Sequence, residues 1–82
     1  METVYEDPET YGSGPTLDEA VADAVDRFKL RADAATDWKY DLAIEMALVS
    51  VHVEQSSDKY QYYSPSAPNV SVRFSAVARK KN

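Results

Sequence analysis

Leu17, Val21, Ala24, Val25, Phe28 and Ala32 recur at helical spacing and draw a single apolar stripe along residues 17–32. Thr16-Leu17-Asp18-Glu19, just ahead of it, matches a capping box. In that motif the threonine hydroxyl takes the amide three residues on and the glutamate reaches back. Asp18 and Glu19 suit the first turn, and Lys29 and Arg31 lie toward the end, as the helix dipole prefers. The spacing predicts one helix ending near residues 34–37. Its alanines predict that it sits close on a sheet.

A helix with one apolar stripe must bury it, and the flanking segments read as strands. Val70, Val72, Phe74, Ala76 and Ala78 alternate with more polar neighbours, the pattern of a half-buried strand. In residues 38–54, Tyr40, Leu42, Ile44, Met46 and Leu48 alternate first, and then Val49, Val51 and Val53 take over in the opposite phase. Such a phase change within a strand marks a bulge. Leu42–Leu48 is also rich in helix formers, so a short helix before a Val49–Glu54 strand is the alternative to one long bent strand, which the alternation favours. Ser56–Lys59 reads as a turn, Tyr60, Tyr62 and Tyr63 as strand residues, and Ser64–Asn69 as a break. Residues 1–15 read as an acidic arm or short edge strand, because Pro8 removes a ladder donor. Gly12-Ser13-Gly14-Pro15 reads as a turn. The expectation is an α+β chain: an arm or edge strand over 1–15, then a single domain over 16–82 with one helix on a three-stranded antiparallel sheet. The face of the sheet away from the helix is expected to carry apolar and tyrosine surface that wants a cover.

A chain of 82 residues without cysteine, with one histidine and two glycines, narrows the chemistry. It excludes disulfides, thiolate metal sites, multi-histidine sites and a glycine-rich phosphate loop. No apolar run approaches the ~20 residues of a membrane span, and the acidic start does not read as a signal peptide. A cytoplasmic location is therefore expected. Residues 1–27 hold eight acids against one base, whereas residues 28–82 hold six acids and eight bases. An acidic front half disfavours nucleic acid, whose binding rests on neutralising phosphates. It suits a basic partner or simple solubility.

No constellation for catalysis is evident. His52 lies opposite the flanking valines and reads as a rim histidine, with no Gly-x-Ser-x-Gly elbow to accompany it. Asp18, Asp23 and Asp26 read as a solvated helix face. Tyrosine is the real excess, and Tyr5, Tyr11, Tyr60, Tyr62 and Tyr63 are candidates for partner binding, since tyrosine offers a large contact area at low entropic cost. Trp38, at the helix–strand junction, reads as a core plug or as a flat ring for stacking.

Val4-Tyr5, Gly12-Ser13-Gly14-Pro15-Thr16, Glu19 and Ala22-Asp23-Ala24-Val25-Asp26-Arg27 resemble the opening of the dodecins over residues 4–38. That resemblance implies a βαββ subunit, a hollow dodecamer, and flavin held without catalysis. It implies Trp38 and Gln61 as flavin-contacting residues. Pro8, the lack of an Arg-Gly after the tryptophan strand, and the added Tyr62–Asn69 segment depart from that pattern. The leading expectation is a non-catalytic, cofactor-free interaction module that binds a protein partner or itself, a class that includes phage-type inhibitors of host enzymes. The alternative is a dodecin-like oligomer that binds and stores flavin or another small ligand.

Overall fold

The computed structural model describes residues 1–54 and 69–81, which form β1 (Thr3–Gly14), α1 (Leu17–Ala35), β2 (Leu42–Glu54) and β3 (Asn69–Lys80). The three strands make one antiparallel sheet in the order β1-β3-β2. β1 and β2 therefore run parallel, joined through α1, with β3 between them: a split βαβ unit. One helix packed on this sheet gives the expected α+β, βαββ architecture.

α1 begins where the cap requires, with the Glu19 amide donating to Thr16 Oγ1 at 3.2 Å. Its buried line is Ala20, Ala24, Phe28 and Ala32, while Leu17 is largely exposed. No base lies in its last turn. Arg31 instead crosses to β1 and pairs with Asp7 at 3.2 Å. The helix closes with the Trp38 amide donating to the Asp33 carbonyl at 2.8 Å and the Asp37 amide to Ala34 at 3.2 Å. This is a Schellman closure, whose turn residue is usually glycine. Here Asp37 and Trp38 take it at φ 54° and 61°. A side chain in that region costs about 1 kcal/mol. Asp37→Gly should therefore raise stability by about 1 kcal/mol in urea unfolding, and an unchanged midpoint would mean that the aspartate is not strained.

β3 presents Val70, Val72, Phe74, Ala76 and Ala78 to the helix, all buried. β2 is the long bent strand, not a short helix followed by a strand. Its register against β3 slips between Leu48 and Ser50, leaving Val49 as the extra residue. β1 is more than an arm. It pairs with β3 along its length, with slips at Thr3/Tyr5 and Asp7/Thr10 that accommodate Pro8 at an edge.

Gly12-Ser13-Gly14 is not a turn but the end of β1, and neither glycine has a positive φ. The glycines are needed for space. A Cβ on Gly12 would run into the Ala20 carbonyl and come within 2.7 Å of Ala24 Cβ, and one on Gly14 would meet Glu19 Cβ at 2.9 Å. Small residues on both elements bring α1 down onto β1 and β3, away from β2. The core consequently has two parts. Ala20 and Ala24 meet Val70, Val72 and Phe74, and Phe28 and Ala32 meet Ala76 and Ala78, with Tyr5, Leu42 and Ile44 at the margin.

Candidate functional site

Residues directly opposite one another on paired strands share a face. Along β2, Ile44, Met46 and Leu48 lie opposite Ala78, Ala76 and Phe74, and after the bulge Val51 and Val53 lie opposite Val72 and Val70. All belong to the helix side of the sheet. The helix covers only part of it: Leu42, Ile44 and Met46 are half-buried against the core, and beyond them the cover stops. Leu48 is 51%, Val49 52%, Val51 43% and Val53 60% exposed. Contiguous apolar surface of this kind marks an interaction site.

Exposed apolar surface thus lies on the helix side of the sheet as well, where it was not expected. The far face carries Ser71, Arg73, Ser75, Val77 and Arg79 on β3, with Glu45, Ala47, Ser50, His52 and Glu54 beside them on β2. Arg73 pairs with Glu9 at 3.7 Å and Arg79 with Glu45 at 3.7 Å. Small and charged residues predominate there, with Val77 half-buried and Tyr11 exposed among them. His52 stands there, exposed, opposite Ser71.

The two edges of the sheet differ. On β1 the Asp23 carboxylate, reaching over from α1, accepts the Ser13 amide at 2.9 Å. Pro8 has no donor, and Asp7 accepts the Glu9 amide at 2.9 Å. This edge is blunted by the means natural sheets use against edge pairing. β2 has no proline, one bulge and, among the described residues, no side chain closing its outer edge.

Asp23 also accepts from Arg27 Nε at 3.1 Å. The Ser13 amide first, and the Arg27 guanidinium second, hold its carboxyl below the usual carboxylate range. A depressed acid adds stability above its unfolded pKa of about 3.9, and that stability is lost as pH falls through the folded value. Between pH 5 and 2, Asp23→Asn should flatten the pH dependence of the unfolding midpoint. Parallel curves for the two proteins would show that Asp23 is not the titrating group. Tyr11, Gly12, Ser13, Asp23, Arg27 and Ser71 line an open groove here, in which Asp23 and Arg27 pair with each other.

Of the candidate tyrosines, Tyr5 and Tyr11 are among the described residues, and the structure does not bring these two together. Tyr5 turns inward onto Phe28, with ring centroids 5.6 Å apart. Tyr11 lies exposed on the far face opposite Arg73. The β1 slip at Asp7/Thr10 puts the two on opposite faces. Tyr60, Tyr62, Tyr63 and Gln61 lie outside the described residues, as do the turn at Ser56–Lys59 and the break over residues 64–68. Trp38 is 64% exposed, which corrects its reading as a core plug and leaves a flat ring open at the junction of α1 and β2. The stretch that sequence reasoning did not pick out is Leu48–Val53. Its valines stand out in the sequence as the apolar set after the phase change at Val49, but nothing in that pattern marks them as left uncovered by the helix.

Among the described residues, no cluster of three or more histidine, cysteine or acidic side chains could hold a metal, and no helix is long and apolar enough to cross a membrane. Neither a family model, nor a curated protein, nor a solved structure matches the chain.

Proposed function

We propose that this chain is a non-catalytic interaction module whose binding surface is the uncovered end of β2. The observation that carries this is the set Leu48, Val49, Val51 and Val53, apolar and roughly half exposed, on a sheet whose opposite edge is blunted. Charge supports the same polarity. The acids of residues 1–27 sit on β1 and the first half of α1 and keep that side from associating, while β2 offers the surface that gains from being covered. The test is native mass across a dilution series, for the wild type and for Val51→Lys/Val53→Lys. The wild type should run above 9.2 kDa at micromolar concentration, or take up a protein partner, and the variant should lose that association while keeping its circular dichroism. Association unchanged in the variant would move the binding surface elsewhere.

One observation favours the dodecin-like reading as a second function. Trp38 holds an exposed ring on a left-handed backbone, and strained residues cluster at ligand sites. Flavin stacked on that ring would lose its fluorescence, and Trp38→Ala would restore it. Riboflavin left unquenched at tens of micromolar protein would remove this reading.

A further inference from the structure

We infer that the occupant of the β2 surface is a second copy of this chain, with β2 paired antiparallel to β2 of the second copy about a two-fold axis at the bulge. This rests on the interaction-module reading and names its partner.

The argument begins with parity. The slip at Val49 changes the phase of β2, so residues facing the helix side are even-numbered before it (Ile44, Met46, Leu48) and odd-numbered after it (Val51, Val53). Two such strands, run antiparallel with the half before the slip against the half after it, bring like faces together only when an even position meets an odd one. In the register that centres Leu48 against Val49, Met46 meets Val51 and Ile44 meets Val53 of the second copy. Apolar side chains then continue across the junction. On the far face of the sheet Ala47 meets Ser50, and Glu45 meets His52, an acid beside an imidazole that can donate to it.

Charge separates this register from its neighbours. Sliding two residues one way sets Glu45 against Glu54, and sliding the other way sets Asp41 against Glu54. The two-fold repeats each clash. Like charges directly opposite destabilise a strand pair, and opposite charges stabilise it. The centred register alone of the three has no acid facing an acid. A segment this self-complementary fits its own copy, and two-fold pairing of one patch with itself is the commonest route to an oligomer. The open edge of β2 would gain a ladder of backbone hydrogen bonds, and Leu48, Val51 and Val53 would lose contact with water.

The absence of cysteine from the chain makes the test clean. Ala47→Cys and Ser50→Cys proteins, each checked by circular dichroism, are mixed and oxidised. In the centred register the two thiols face each other, whereas either variant alone places its own pair about 10 Å apart along the strands. Such a separation is too long for a disulfide. The expected result is a covalent dimer, at twice 9.2 kDa, as the main product of the mixture and a minor product of either variant alone. Val51→Lys introduced into both proteins should abolish it. If the native mass shows association but no 47–50 link forms, the second-copy register is overturned while the interaction surface stands. If the chain is a folded monomer at every concentration, takes up no partner and forms no link, both fall.

Discussion

Phe28→Ala should be among the most damaging single substitutions in this chain, lowering stability by about 3–5 kcal/mol. Phe28 is fully buried and is the one large side chain that α1 contributes to the interior, the rest of its buried line being alanine. It stands against Tyr5 on one side and Ala76 and Ala78 on the other. Ala76 and Ala78 beneath it are too small to close over the space left behind. Native domains hold about 5–15 kcal/mol in all, and a chain this short sits toward the lower end. The variant should therefore be substantially unfolded at moderate urea, with near-ultraviolet circular dichroism lost first. A midpoint shift equivalent to less than about 1 kcal/mol would mean that the helix does not dock through this residue.

Gly12→Ala should cost about 3 kcal/mol for the opposite reason, a methyl group added where none fits. The added Cβ meets backbone as well as side chain, at the Ala20 carbonyl and the Ala24 amide, so no rotamer change relieves it. The helix must lift from β1. That lift exposes Val70 and Val72, the residues under Ala20 and Ala24, and the cost of their exposure adds to the strain. Gly14→Ala meets the Glu19 side chain first, whose Cβ is 2.9 Å away, and should cost less. Equal midpoints for wild type and Gly12→Ala in urea would show that helix and strand are not in close contact there.

These substitutions mark where sequence reasoning ran out. α1 and β3 were legible because burial imposes a period, 3.6 in one and 2 in the other, and the bulge of β2 was legible as a break in the second period. The role of Gly12 was not, because Gly-Ser-Gly-Pro carries the same letters whether it turns the chain or makes room for a helix. Only the approach of Ala20 and Ala24 decides between them. Trp38 misled for a related reason. A lone tryptophan is expected inside, yet the Schellman closure at Asp33–Trp38 uses two non-glycine residues in left-handed conformation and directs the ring outward. No local pattern announces such a closure. Tyr5 and Tyr11 share parity, and only the slip at Pro8 separates their faces. The exposed apolar surface on the helix side was not anticipated. Its position depends on how far α1 leans toward β1, a consequence of the small residues at the helix–strand contact.

Backbone hydrogen exchange along β2 tests the account most directly. If Leu48–Val53 is covered in solution, its outward amides should exchange slowly at micromolar concentration and faster on dilution, while the amides of β1 that face Asp23 stay unchanged throughout. Amides of residues 48–53 that exchange as fast as an open edge at every concentration, with or without a partner protein, would contradict it.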